Sequence, residues 1–456
     1  MVVEAWLTRA AAARPGQIAL QTPQGSSSYS QLLASAHLAA ARLREAGVRT
    51  GEHVAIALTS ALDFAHALHG CMLLGAVAVP VDPRLSETER ERIASRCGVR
   101  VEQPLVGTEV ARSAPLPASA GAAGHRLDAT AVVIHTSGTS SAPKPVELTY
   151  GNLLWSALGS AVALGVDAEE RWLCALPLSH VGGLSILVRS AIYATTAVVH
   201  ERFETAPTLA ALREQGITLV SLVATTLARL LDAGLEHPPA LRCALTGGGP
   251  VPGALLARAA EAGVPVSLTY GLTESCSQVT TAPAAALAAG ELGPGPALFC
   301  TCVRCAEDGE ILVAGPTVAP GSLAGDGWLH TGDLGALDGR GRLSVTGRKA
   351  DTIVSGGENV APSEVEAALE AHPDVLEAAV VGRPDEQWGE AVTAIVVPRL
   401  KTAHGAAAGE DGLAETEALR LHCASLLAPY KVPKRILLRA EPLPRTRSGK
   451  LLRREL

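Results

Sequence analysis

Apolar and polar positions alternate along the first two-thirds of the chain in a regular way. Leu32, Ala36, Ala39, Ala40 and Leu43 recur at helical spacing behind Ser30, a residue type suited to an N-cap, and Gly47 and Gly51 bracket the exit. Short strand-like runs follow: Val54–Leu58, Ala131–Ile134, Leu173–Ala175, Thr218–Val223, Leu241–Leu245 and Val264–Thr269. Strands separated by helical stretches predict an α/β architecture with largely parallel sheets. Met1 to Arg14 carries Glu4, Arg9 and Arg14 in a helix-like pattern without the basic-then-apolar layout of a signal peptide. Ser113–Gly124 and Lys401–Gly412, rich in small residues, predict surface loops. From Lys349 a compact run predicts a smaller α+β domain, with Glu364–Leu369 and Thr416–Leu427 as helices and Leu376–Val381 and Ala391–Val397 as strands. The expected domains are therefore residues 1–348 and 349–456.

Composition narrows the function classes. The 456 residues are 48% hydrophobic, 18% charged and only 3% aromatic, so the core rests on Ala, Val, Leu and Ile and leaves little for base-stacking platforms. A net charge of −7 argues against a nucleic-acid surface. The longest apolar stretch, Leu68 to Val81, is shortened by Pro80 and followed by Asp82, so no membrane span is expected and a cytoplasmic location is the default. Nine cysteines, an odd number, suit reduced thiols packed as small hydrophobes. Cys300, Cys302 and Cys305 cluster but lack a fourth neighbouring ligand, so structural cysteine is the expected reading.

Five short motifs carry chemistry. Ile134 to Lys144 runs from a strand into Thr136, Ser137, Gly138 and Thr139 and ends on a lysine. Such a loop either cradles phosphate oxygens or is an ordinary polar turn, and it lacks Walker A spacing. Gly248, Gly249 and Pro250 allow close approach to a flat ligand or simply make a tight turn. In Thr269–Ser275, Tyr270 and Gly271 offer a ring face beside an open backbone, Thr273 a hydroxyl, and Glu274 a hard oxygen for Mg²⁺ unless it is merely solvated. Asp333, in a His-Thr-Gly-Asp run, and Arg348 can both hydrogen-bond ribose hydroxyls. Lys450 stands in a basic segment that is either a solvated tail or a loop reaching into a distant site.

Together and in this order, the motifs resemble the adenylate-forming superfamily of acyl-CoA synthetases, luciferases and peptide-synthetase adenylation domains. The resemblance covers essentially the whole chain. It implies a large N-terminal domain of stacked α/β sheets, a small mobile α+β C-terminal domain, and a site between them. Arg171–Tyr193, Thr149–Asn152 with Ser156–Ser160, Glu274–Gln278 and Ser355–Asn359 are further similar to the o-succinylbenzoate–CoA ligases of menaquinone biosynthesis. The implied reaction consumes ATP, Mg²⁺, coenzyme A and a carboxylic acid. Thr136 to Thr139 and Lys144 would hold phosphates. Gly248–Pro250 and Tyr270 would flank adenine, Asp333 and Arg348 would fix ribose, and Glu274 would ligate Mg²⁺. Lys450 would bridge carboxylate and α-phosphate. Rotation at a hinge, Lys349–Ala350, would then bring Gly356, Gly357, Glu358 and Asn359 beside the CoA thiol. His180, Ser185 and Arg189 are expected in the acid pocket, with Arg189 on the spectator carboxylate or else in a structural salt bridge.

The chain departs from the family pattern at Ser140, Ser141 and Pro145 in the phosphate loop, which implies slower adenylation or looser ATP binding. Ser179 replaces an aromatic residue, and Ala350 replaces the usual hinge Asp or Lys. The alternatives are another aryl- or acyl-CoA ligase, a stand-alone enzyme loading a carrier protein, or a catalytically weak adenylate- or CoA-binding protein. Oligomeric state is left open by the sequence.

Overall fold

The structure, a computed structural model, describes residues 1–107, 124–136, 144–283, 285–287, 289–291, 293–399, 410–445 and 451–456. Within these, the expected alternation of strands and helices produces two parallel-cored sheets in the N-terminal part. One has eight strands, in the order Ser277–Thr281, Val266–Leu272, Cys243–Thr246, Leu219–Leu222, Arg171–Cys174, Thr196–Val199, Ile18–Thr22 and Gly25–Ser28. Its inner strands pair parallel, and the two outermost pairings are antiparallel. The other has five: Val99–Val101, His53–Ile56, Val77–Pro80, Thr130–Thr136 and Lys144–Thr149. Strands such as Cys243–Thr246 and Val77–Pro80 are buried at every position, as parallel strands covered on both faces must be.

Small residues let the covering helices approach closely. Helix Tyr29–Glu45 buries Leu32, Leu33, Ala36, Ala39, Ala40 and Leu43. It meets helix Ala61–Leu74, where a Cβ on Gly70 would lie 2.8 Å from the Ala39 Cβ. That second helix and strand Val77–Pro80 divide the apolar Leu68–Val81 stretch between them, and Gly75, at φ 71°, makes the turn.

Several local expectations are corrected. The cap of the first long helix is Ser28, not Ser30: its Oγ accepts the Gln31 N–H while Gln31 Oε1 accepts the Ser28 N–H. Met1–Arg14 is not one helix. Val2–Glu4 is a strand paired with Gly124–Arg126, and the helix is Trp6–Ala13. Gly124 therefore belongs to a strand rather than a loop, and the remainder of 113–123 lies outside the described residues. Of Lys401–Gly412, the described part enters helix Glu410–Leu426.

By density of contacts the chain forms two compact units. One comprises Met1–Gly248, Arg258–Val303 and Val313–Leu329, and the other Gly249–Ala257, Arg304–Leu312 and His330–Leu456. Lys349 lies inside the second by this measure. There, strands Val375–Asp385 and Gly389–Pro398 pair along their length, Ile353–Ser355 and Glu358–Val360 extend the sheet, and Arg435–Leu438 adds in parallel. Helices Pro362–Glu370 and Glu410–Leu426 cover a core of Ile353, Val365, Leu369, Val380, Val392 and Ile436. A four-stranded sheet, Cys302–Cys305, Glu310–Ala314, Leu329–Leu337 and Leu343–Arg348, carries the ribose-motif residues. Among the described residues, no helix is long and apolar enough to cross a membrane.

Candidate functional site

Thr136 and Thr246 each end a strand, Tyr270 lies two residues before the end of one, and Asp333 lies inside strand Leu329–Leu337. Thr136 closes strand Thr130–Thr136 and pairs with Lys144 across the antiparallel hairpin, its hydroxyl donating to the Lys144 carbonyl at 3.3 Å. Lys144 and Pro145 are exposed, and Pro145 stands opposite His135. Ser137, Gly138, Thr139, Ser140 and Ser141 lie outside the described residues, as does Lys450.

Thr246 ends a fully buried strand and leads into the glycines. A Cβ at Gly247 would stand 2.7 Å from the Thr269 carbonyl oxygen, and Gly248 has φ 81°, so neither position accommodates a side chain without strain. Gly249 and Pro250 continue the chain, with open space around Gly249.

Tyr270, Gly271, Thr273 and Glu274 share one hairpin. Strand Val266–Leu272 returns as Ser277–Thr281, with a register shift at Tyr270/Gly271. A Cβ at Gly271 would fall 1.6 Å from the Ser277 carbonyl oxygen, so only glycine allows that crossing. The turn is braced by Ser275, whose hydroxyl accepts the Leu272 N–H and donates to the Leu272 carbonyl, both at 3.0 Å. The Glu274 carbonyl accepts the Ala319 N–H at 2.8 Å, which fixes its backbone and leaves a half-buried carboxylate. One carboxylate suits Mg²⁺, which takes few protein ligands when substrate phosphates supply the others.

The residues expected in the acid pocket lie on one element. His180 precedes helix Val181–Tyr193, and Ser185 and Arg189 follow at an i,i+4 spacing on one face. Gly183 lets this helix start tight against the preceding turn, since a Cβ there would be 2.4 Å from the Pro177 carbonyl oxygen. Arg189 is 2% exposed. Its Nη2 donates to Ser156 Oγ at 3.0 Å, and Ser156 donates on to the Cys276 carbonyl at 2.6 Å. The guanidinium lies 5.6 Å from the Trp172 ring centre, and its Nε has no hydrogen-bond partner among the described residues. Among the described residues, no carboxylate pairs with it, and burial lowers its pKa. The structural salt bridge that would compete with ligand contact is thus not formed by any described residue. Ser185 is buried and donates to the Gly182 carbonyl.

His180 is half-exposed beside two residues that sequence reasoning missed. Its Nε2 lies 3.7 Å from Asp82 Oδ2 and 3.4 Å from Arg84 Nη2, and Arg84 grips Asp82 with two nitrogens. Burial lowers the His180 pKa more than Asp82 raises it. The signal was the Asp-Pro-Arg run directly after a buried strand. Ser156 opened one of the runs that carry the resemblance, but nothing in the sequence tied it to Arg189.

Asp333 and Arg348 come together as expected. They are cross-strand partners, with Arg348 Nε 2.8 Å from Asp333 Oδ1, and Asp333 is 5% exposed. The Asp333 N–H donates to Thr331 Oγ1, which donates to the Ile311 carbonyl. Lys349 next in sequence bridges Asp308 at 2.6 Å and Glu310 at 3.1 Å. Burial pushes the Glu310 carboxyl up, but the Gly332 N–H and the Lys349 ammonium outweigh it and hold the group below its usual range. Asp308 and Glu310 also escaped the sequence reading, although the Glu-Asp-Gly-Glu run was visible.

Gly356 and Gly357 form a two-residue hairpin loop between the paired Ser355 and Glu358, with φ of 62° and 85°. Both-positive φ is what a type I′ turn requires, so the glycines have a structural explanation of their own. The Gly356 N–H donates to the Trp388 carbonyl at 2.8 Å, and Glu358 and Asn359 are exposed. Cys300 is buried, with its thiol against the Trp155 carbonyl, in space left by Gly159.

An α/β enzyme with a nucleotide-binding arrangement at its strand ends is the class these features describe. Residues 7–323 match the AMP-binding enzyme family and residues 364–450 the AMP-binding enzyme C-terminal domain, and the chain belongs to this family. It is 36% identical to a 2-succinylbenzoate–CoA ligase of Bacillus licheniformis, covering 99% of this chain and 98% of that protein. A Geobacillus kaustophilus protein of the same name is 38% identical, over 99% and 96%. Among solved structures, the o-succinylbenzoate CoA synthetase of Bacillus subtilis in complex with the acyl-adenylate intermediate OSB-AMP superposes with a TM-score of 0.87 at 35% identity, over 100% of this chain and 98% of that one. The same enzyme with ATP and magnesium ion gives 0.86 at 36%, over 100% of both chains.

Proposed function

We propose that this chain is an AMP-forming 2-succinylbenzoate–CoA ligase, converting o-succinylbenzoate, ATP and CoA to o-succinylbenzoyl-CoA, AMP and pyrophosphate. The observation that carries the choice of acid is Arg189, a fully buried cation with no carboxylate partner among the described residues. An uncompensated buried charge is costly, and a substrate carrying a second carboxylate relieves it. Full-length similarity to ligases of that name supports the reading. The menaquinone pathway follows from the same acid.

Two anions must be brought together, and positioning with charge neutralisation does most of the work. Thr136 to Thr139 and Lys144 hold the β- and γ-phosphates, and Gly248–Pro250, Tyr270, Gly271 and Thr273 take the adenine side. Asp333 takes the ribose hydroxyls, oriented by its pairing with Arg348. Glu274 would hold Mg²⁺, which would supply neutralisation of phosphate charge. Arg189 receives the spectator carboxylate, with Ser185 and His180 lining the approach. Lys450 holds the reacting carboxylate against the α-phosphate while pyrophosphate leaves. Turning at Lys349–Ala350 then withdraws Lys450 and presents Gly356–Asn359 to the CoA thiol, which attacks the acyl-adenylate and releases AMP. The functional division is accordingly 1–348 and 349–456.

Pyrophosphate release with ATP, Mg²⁺ and CoA across a panel of aryl and fatty acids tests the proposal. CoA-dependent turnover with strong preference for o-succinylbenzoate is expected. Turnover with other acids alone would discard the substrate and keep the mechanism. Silence across the panel would favour a binding role with an impaired phosphate loop.

A further inference from the structure

We infer that Glu310 is a positioning residue which, with Asp308, locks the hinge lysine and the ribose-holding pair into one frame, so that turning begins at Ala350 and leaves Asp333 in place. The inference rests on the hinge and ribose roles proposed above.

The observation is a closed circuit of contacts. Glu310 Oε1 accepts the Gly332 N–H at 2.9 Å. Gly332, at φ 68°, adopts a backbone conformation that other residues take only with strain, so it can present that N–H to Glu310. Asp333 follows and meets Arg348 at 2.8 Å. Lys349 follows Arg348, and its ammonium returns to Glu310 Oε2 at 3.1 Å and to Asp308 at 2.6 Å. His330 Nδ1 lies 3.5 Å from the same Oε2. Thr331 adds a second tie through the Ile311 carbonyl. Every residue from His330 to Asp333 is thus anchored to, or directly beside an anchor on, the strand Glu310–Ala314.

The geometry has a mechanical consequence. A hinge needs a fixed end, and an ammonium held between two carboxylates supplies one at Lys349. Glu310 is the better buried of the two, its side chain 10% exposed against 52% for Asp308. Its attraction is therefore less screened by solvent, and it alone also holds the Gly332 backbone. If rotation started at or before Arg348, that residue would swing with it and leave Asp333. With the circuit intact, AMP keeps its ribose contacts while the remainder turns.

The experiment uses the full chain and begins with three single variants. Glu310→Gln keeps an acceptor for Gly332 but removes the charge facing Lys349, Lys349→Met removes the ammonium, and Lys349→Arg restores a cation. Glu310→Gln and Lys349→Met are each expected to raise KM for ATP in adenylation by about fivefold, the ratio set by one half-exposed ion pair. The maximal adenylation rate should change much less. The double variant should be no worse than either single one, and Lys349→Arg should recover most of the loss. Additive effects, or an unchanged KM with only a lowered Tm, would overturn the circuit and leave Glu310 a structural residue. Ala350→Pro tests the hinge separately. Intact CoA-coupled turnover in that variant would sink the hinge reading, whereas an unchanged ATP KM in Lys349→Met sinks the circuit whatever Ala350→Pro does.

Discussion

Arg189 shows how much a single residue's surroundings add to its identity. Sequence alone left it between ligand contact and a structural salt bridge, because an arginine on an apolar helix serves either purpose. Burial to 2% exposure, a hydroxyl partner in Ser156 and an Nε without a partner among the described residues weigh toward an anion supplied from outside. Substituting Arg189 with Ala is expected to raise KM for o-succinylbenzoate by about 30-fold or more, the cost of removing one partner of a buried charge pair, with KM for ATP little changed. Steady-state kinetics with each substrate varied in turn checks this, and an unchanged acid KM would take Arg189 out of the pocket. Other residues were illegible for a physical reason. Asp308, Glu310, Asp82 and Arg84 act through long-range approach to Lys349 and His180, and spacing along a chain carries no record of such approach.

At the scale of elements, the buried parallel strands were the most legible features, since burial on both faces demands unbroken apolar runs. Boundaries moved by as little as one residue and by as many as six, as where the helix expected from Thr416 begins at Glu410. The first long helix is the clearest case. Ser30 and Ser28 both precede the apolar periodicity, but only Ser28 has a glutamine three residues on to complete the reciprocal cap. Ser28→Ala should therefore cost about 1 kcal/mol of stability while Ser30→Ala costs much less. Urea denaturation of the two variants decides, and equal losses would return the cap to an open question. Glycine motifs were ambiguous for the opposite reason. Gly271 is demanded by the Ser277 carbonyl, and Gly356–Gly357 by a hairpin turn, so backbone geometry accounts for them before any ligand does. The placement of Thr136 at the end of its strand and of Gly248 just past the end of another was readable because α/β folds put ligand-handling residues there.

For the whole molecule, stability should depend on pH through histidines that no functional motif includes. His69 is 4% exposed, and burial, aided by neighbouring His66 and His125, brings its pKa down to about 4. His125 is likewise about 4, for reasons of burial. Its ring stacks on Tyr150 at 4.4 Å, and its Nε2 accepts the Trp6 N–H, so the fold requires that nitrogen unprotonated. Both rings titrate near 6.5 once exposed, so between pH 6.5 and 4 the unfolded chain binds protons that the folded chain refuses. Their contribution is fully present above pH 6.5, falls as the pH drops toward 4, and declines no further below that. The upper bound is about 3 kcal/mol for each ring, and neighbouring charges make the sum smaller than twice that. Because these side chains tie helix Trp6–Ala13, helix Ala61–Leu74 and strand Gly124–Arg126 together, acid should destabilise the N-terminal region. Denaturation midpoints measured from pH 7.5 to 4.5 should fall steeply below 6.5, and His125→Asn should flatten that slope even though it lowers stability at neutral pH. An unaltered slope in His125→Asn and His69→Gln would place the acid sensitivity elsewhere.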